Sequence, residues 1–262
     1  DMSNVDPGVI EVMNQDSRRM ILEGTHWQPL LGLLIQNQTN SPEISELATT
    51  LASDASKSVD LRAAALQFQL TNQPETTAKQ SAVSMLASDA PKLASIALKY
   101  LSLGTGEITT GPGGFHVRTQ TVTHILSSDE MPAPVPLSPP EGLTIESLQP
   151  FLETVNAEDA AYASHLMALL NNFDQVPRLI DHWRSNPDDD AAQKLLYQAI
   201  TVSNDPRYIP VLEEQYAAMS RLKRSANMSD FYWTIRSMTG PEILALRKRI
   251  REEQGADQLK QR

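Results

Sequence analysis

The five histidines are the first residues that could carry chemistry, and their spacing provides no metal-binding pair. A helical metal site needs two histidines three or four residues apart, because that spacing places both imidazoles on one helix face. His116 and His124 come nearest, but they are eight residues apart and share a face only across a two-turn gap. We interpret these two, like His26, His165 and His182, as ordinary polar or half-buried side chains. The sequence therefore predicts no metal ion and no other cofactor.

The run Gly111-Pro112-Gly113-Gly114 could present backbone amides to an anion. A phosphate-binding loop ends in Gly-Lys-Ser/Thr, whereas Phe115 and His116 follow this run, and the dinucleotide spacing is also absent. We interpret the run as a loop rather than a nucleotide site.

Three consecutive acids, Asp188, Asp189 and Asp190, could suggest a hard cation. Calcium loops place their ligands at alternating positions, whereas consecutive residues of a helix point in different directions. Acids in a first turn instead compensate the positive end of the helix dipole. We therefore expect a helix here, with Asn186 as its N-cap and Pro187 in its first turn.

Signatures of nucleophilic catalysis are missing from the sequence. With no cysteine there is no thiol nucleophile, thiolate metal site or disulfide, and no serine stands in a Gly-x-Ser-x-Gly pattern. We predict a non-enzymatic protein. The lack of cysteine also fits an exported protein better than a cytosolic one. Because the chain starts at Asp1 rather than Met, we expect a processed product or part of a longer chain.

The densest aromatic cluster, Phe231-Tyr232-Trp233, lies just before a basic chain end. Aromatic rings beside cations are used by proteins that bind single-stranded nucleic acid. Phe231, Ile235 and Met238 nevertheless follow helical spacing, which favours the core of a terminal helix pair. We keep Tyr232 and Trp233 as candidate interaction residues.

Charge is distributed unevenly over a chain of formal net charge −10. From Glu141 to Ala217 there are thirteen acids and four bases, a net charge of −9, whereas Met219 to Arg262 has ten bases and five acids, a net charge of +5. An acidic body repels a phosphate backbone, so we expect a protein partner of basic character rather than nucleic acid. No run of about 18 apolar residues exists, so no transmembrane segment is predicted.

An internal repeat indicates how the chain is organised. Leu51-Ala52-Ser53-Asp54-Ala55 recurs 35 residues later as Leu86-Ala87-Ser88-Asp89-Ala90. A helical run from Leu61 to Phe68 follows the first copy, and a similar run from Leu93 to Tyr100 follows the second. A repeat of this length is typical of two-helix units, which bury their apolar faces by stacking.

The pattern as a whole predicts an all-α protein. The expected helices are 8–22, 27–37, 42–53, 58–71, 75–88, 91–103, 116–127, 144–154, 157–171, 174–185, 188–202, 206–220, 229–238 and 241–253. The expected core residues are Leu51, Leu61, Ala65, Leu66, Leu86, Leu98, Leu152, Leu169, Leu195, Leu212, Ile235 and Leu246. A proline precedes bulky apolar residues near four helix starts, at Pro29, Pro150, Pro177 and Pro210.

These residues resemble HEAT repeats. Asp54 followed by Leu61-Arg62-Ala63-Ala64-Ala65 is similar to the turn and second helix of that family, although the second copy has Ala94 where the first has Arg62. The chain also has a segment that resembles the usual opening of a first helix in that family, Asp205-Pro206-Arg207-Tyr208-Ile209-Pro210-Val211-Leu212. The resemblance covers roughly 41–104 and 144–220 and implies a curved α-solenoid in which the Arg braces a turn. Other two-helix repeats remain open, but the tetratricopeptide pattern is absent.

Glycine and proline interrupt the expected solenoid between Gly104 and Gly142. We predict an N-terminal helical stack over 1–130, a proline-rich linker or crossing loop over 131–142, and a C-terminal stack with a basic end over 143–262. Long segments of this kind are often functional, so we take His116 and Arg118 as candidate polar contacts.

The architecture favours a non-catalytic protein–protein interaction scaffold that forms one module of a larger or exported protein. The alternative is an enzyme, or a protein that handles a cofactor or nucleic acid, on a HEAT-like frame. The acidic stretch between Glu141 and Ala217 disfavours the nucleic-acid version.

Overall fold

Every regular element in the described part of the chain is a helix, so the predicted all-α class is confirmed. The structure is a computed structural model that describes residues 42–104, 138–218, 231 and 234–260, with side chains described from 45 to 253 within these ranges. The α-helices with assigned bounds are α1 Pro42–Ser53, α2 Val59–Asn72, α3 Glu75–Met85, α4 Pro91–Leu103, α5 Ile145–Leu152, α6 Ala157–Leu169, α7 Val176–Ser185, α8 Asp190–Ser203, α9 Ile209–Ala218 and α10 Pro241–Lys260. Residues 231 and 234–237 are helical too.

Two short 3-10 turns modify the predicted helix starts. Phe173–Gln175 precedes α7 and Pro206–Tyr208 precedes α9, so the α-helical hydrogen bonding begins later than predicted. Asn172 and Asp205 cause this, because each caps its turn by accepting a hydrogen bond from the amide two residues on.

The predicted start of α8 was wrong. Asn186 ends α7 instead, since its amide donates to the carbonyls of His182 and Trp183. The N-cap is Asp189, which has an extended backbone and accepts a hydrogen bond from the Ala191 amide at 2.9 Å. Several adjacent acids can cap a helix, and the one before the first helical residue does so.

Contacts divide the described chain into two units. Unit 1 holds α1 to α4 with residues 140–143, and unit 2 holds residues 138–139 and α5 to α10. The predicted linker over 131–142 stays a prediction, because residues 131–137 lie outside the described part.

The same packing pattern recurs in both units. In unit 1, α1 packs on α2 and α3 on α4, while α2 also contacts both helices of the following pair. Unit 2 repeats this with α5 on α6, α7 on α8, and α6 against both α7 and α8. Connections of four or five residues join the helices of each pair, as in helical hairpins.

The predicted core is confirmed, since all twelve residues named above are buried. The most enclosed element is α6, in which every residue from Asp159 to Leu169 is buried. A helix buried on all faces lies inside its unit rather than on its surface. Helix α6 is therefore the central helix of unit 2.

Arg62 joins the two helix pairs of unit 1. Its buried guanidinium donates through Nε to the Ala52 carbonyl at 3.3 Å and through Nη2 to Asp89 Oδ1 at 3.2 Å. Ala52 lies in the last turn of α1, where carbonyls lack intrahelical partners. Asp89 lies in the turn of the next pair, and Lys92 adds a second link at 2.7 Å to Asp60. The side chain thus caps one helix and contacts the following turn.

Candidate interaction surface

The four candidate contact residues, His116, Arg118, Tyr232 and Trp233, lie outside the described residues. Their neighbour Phe231 is described, and it is fully buried, as is Ile235. The Phe231 ring meets the Tyr197 ring edge-on at 5.8 Å and stacks with the Tyr216 ring at 5.9 Å. The prediction that this part of the cluster forms core is confirmed.

His165 corrects the prediction that the histidines are polar or half-buried. It lies in α6 with 1% of its surface exposed. Burial lowers its pKa to about 4; the Gln198 side chain opposes this shift and the nearby Lys194 ammonium adds to it. Neither ring nitrogen has a partner at hydrogen-bond geometry, so Gln198 provides only partial compensation. His165 is therefore a neutral core residue at physiological pH.

No group of three or more metal-ligating side chains occurs in the described part of the chain. Among the described helices, none combines the length and apolar character needed to cross a membrane.

A groove lies between α9 and α10 in unit 2, with a volume of about 500 Å³. Its lining is mostly apolar, and it consists of Pro206, Ile209, Pro210, Ala245 and Leu246 together with Glu213, Glu242 and Arg249. Leu246 and Ile209 are buried and form the floor, whereas both prolines and Ala245 are exposed at the walls. We name this feature the α9–α10 groove.

Two cross-links hold the walls of the α9–α10 groove in place. Asn204 and Thr239 exchange two hydrogen bonds of 2.9 Å, which tie the turn before α9 to the turn before α10. Further along, Arg249 pairs with Glu213 at 2.9 Å. Asn204 precedes Glu213 in the α9 segment, and their partners Thr239 and Arg249 follow in the same order in the α10 segment. Helices α9 and α10 therefore run in the same direction.

The charges of the α9–α10 groove are only partly paired. Arg249 contacts Glu213 and also Glu253, at 3.9 Å. On the other side of α9, Arg184 binds Glu214 through two bonds of 3.1 and 2.7 Å, which lowers the pKa of Glu214. Glu242, in the first turn of α10, makes no ion pair with a described residue. The unpaired charge of the lining is therefore negative.

The sequence analysis did not predict this groove, although a signal for its position exists. Asn171 and Asn204 both have left-handed backbones, with φ of 62° and 47°, and both follow the second helix of a pair. They are 33 residues apart, and each precedes a capping residue, a 3-10 turn and a helix with proline at its second position. This recurrence marks the start of α9.

No family model, curated protein or solved structure matches the chain.

Proposed function

We propose that the chain is a non-catalytic protein–protein interaction scaffold, built in each unit from HEAT-like two-helix repeats. The observation that carries this proposal is the shared packing pattern, in which the second helix of one pair contacts both helices of the next. In a stack of such pairs each repeat contacts mainly its neighbours, so much helix surface stays available to a partner.

Two local features support the repeat interpretation. Arg62 caps α1 and contacts the turn of the following pair, which is the bracing role that the HEAT resemblance implies. In unit 2, the turns at Asn171 and Asn204 recur with the same left-handed backbone. A turn geometry that recurs after 33 residues is the property expected of a structural repeat.

The partner that suits this chain is a protein with a basic surface. The acids of the stretch from Glu141 to Ala217 are exposed or half-exposed, apart from Asp159, which is buried. Such a field accelerates the approach of a cationic protein and disfavours an anionic one.

The test is capture followed by rebinding. The full chain is immobilised and incubated with a cell extract, and the proteins that bind are identified by mass spectrometry. Each of them is then purified and titrated against the chain by calorimetry. We expect at least one purified protein to bind saturably, with an affinity that falls as salt is raised. If no captured protein rebinds when pure, the scaffold proposal is wrong. Saturable binding that is independent of salt would contradict the basic character of the partner.

A further inference from the structure

We propose that the α9–α10 groove binds a helical segment of a partner protein through one apolar side chain and a Lys or Arg one helical turn away. The apolar side chain enters between the exposed prolines and Ala245, and the cation pairs with Glu242. This inference rests on the scaffold function proposed above and names the site and the kind of segment it recognises.

The size and lining of the groove specify the apolar part of this segment. About 500 Å³ lies within the range of roughly 300–1,000 Å³ typical of ligand sites, which suits one or two aliphatic side chains with part of their helix. Pro206, Pro210 and Ala245 present carbon atoms at the walls, and Leu246 closes the floor. Filling the groove with an aliphatic side chain removes this apolar surface from water.

The electrostatics specify the charged part. Glu213 is already paired with Arg249, and Arg249 also contacts Glu253. Glu242 is exposed and is the lining carboxylate without an ion pair to a described residue. An acidic segment would be repelled at this position, whereas a Lys or Arg would gain a partner.

The walls favour a helical segment over an added strand. Both walls are helices, whose central backbone groups are already hydrogen-bonded, and the two exposed prolines have no amide hydrogen. The groove therefore offers no edge to which an extended peptide could add as a strand. Recognition must use side chains, and a helix presents an apolar residue and a cation on one face at a spacing of three or four residues.

The probe for the test is a phage-displayed library of random peptides of about 15 residues, enough for four helical turns. The library is panned on the full chain. We expect enriched sequences to carry Leu, Ile or Met three or four residues from Lys or Arg. Synthetic peptides of these sequences are then titrated against the chain and its variants by fluorescence anisotropy.

The variants come in matched pairs. Glu242→Lys and Ala245→Arg alter the groove, and each should weaken binding at least about tenfold. Glu146→Lys changes another exposed first-turn glutamate of unit 2, and Ala217→Arg changes an exposed alanine of α9 that does not line the groove. Both control variants should keep affinity within about twofold. Glu242→Gln retains the shape of the residue, so a loss of affinity in it reports on charge alone.

Three results would overturn the proposal. They are no enrichment of any peptide, enrichment of basic peptides without an apolar residue, and equal losses in the groove variants and their controls. The last two would show a general attraction to the acidic surface. If a captured protein still rebinds in the calorimetric test, the scaffold function stands and only the groove assignment fails.

Discussion

The two units share a packing pattern and both have side chains that cross between successive helix pairs, but the turns that connect these pairs differ. In unit 1, the side chains of Arg62 and Lys92 cross from one pair to the other. In unit 2, Arg184 likewise crosses from α7 to Glu214 of α9, but left-handed asparagine turns also precede the first helices α7 and α9, and the central helix α6 is buried on every face. The comparison teaches that apolar packing defines the repeat, whereas its polar links vary from one repeat to the next.

The largest effect should come from the packing that both units share. Leu66 in α2 and Leu166 in α6 are fully buried, so Leu66→Ala and Leu166→Ala should each lower the free energy of unfolding by about 2–5 kcal/mol. Leu166 should lie towards the upper end, because an enclosed helix cannot relax into the cavity. Urea unfolding followed by circular dichroism measures both variants.

The control for these variants is Val155→Ala, because Val155 is fully exposed in the connection before α6. It should change the free energy by less than about 0.5 kcal/mol. If Leu66→Ala behaved like this control, the shared core would be a wrong description of unit 1.

A second prediction concerns the pH dependence of stability, to which a buried histidine contributes in unit 2. The folded pKa of His165 is about 4, below the ordinary value of 6.5, so its contribution to stability is present above pH 6.5 and is lost as the pH falls towards 4. At the lower end of this window the loss should reach about 3 kcal/mol. His165→Leu should remove that part of the pH dependence, whereas unit 1 has no histidine in its described residues.

The measurement is the thermal midpoint of the wild type and of His165→Leu between pH 7 and pH 4. The carboxylates titrate in both proteins, so the difference between the two curves isolates the histidine. Parallel curves over this range would show that His165 does not stay neutral in the folded state.

How much could be predicted depended on whether a feature leaves a periodic signal. Helix α4 begins and ends as predicted, because Pro91 stands in its first turn and Gly104, with φ of +75°, ends it. The core was predictable for the same reason, since leucines at helical spacing mark a buried face. The burial of His165 was not, because a single polar residue cannot report that every face of its helix is covered.

The recurring asparagine turn marks where α9 begins, but periodicity could not predict that α9 and α10 form a groove. It depends on how two helices far apart in the sequence are held together, and that is decided by Asn204 with Thr239 and by Glu213 with Arg249. Their spacing of 35 and 36 residues resembles the repeat length, but nothing in the residue types distinguishes them from ordinary surface pairs. The candidate contacts His116, Arg118, Tyr232 and Trp233 stay predictions.

A third prediction concerns the polar links of unit 1. Arg62→Met keeps the volume of the side chain but removes the donors to the Ala52 carbonyl and to Asp89. It should therefore lower the free energy of unfolding by about 2 kcal/mol. Lys92→Met removes a surface pair with Asp60 and should have little effect on unfolding. Similar midpoints in urea for the two variants would mean that Arg62 does not brace the turn.

The smallest effects should come from the asparagine turns of unit 2. A residue with a Cβ and no local polar group is strained in a left-handed backbone, so Asn171→Ala should lower the free energy of unfolding by about 1 kcal/mol. Asn204→Ala should lower the free energy of unfolding by more than this, because Asn204 also exchanges two hydrogen bonds with Thr239.

Glycine adopts this backbone without strain, so Asn171→Gly should restore most of the lost stability, whereas Asn204→Gly should restore only the part that comes from strain. Chemical unfolding of the four variants gives the loss of stability that remains in each glycine variant relative to the wild type. Equal remaining losses in Asn171→Gly and Asn204→Gly would show that the bonds to Thr239 contribute nothing to stability.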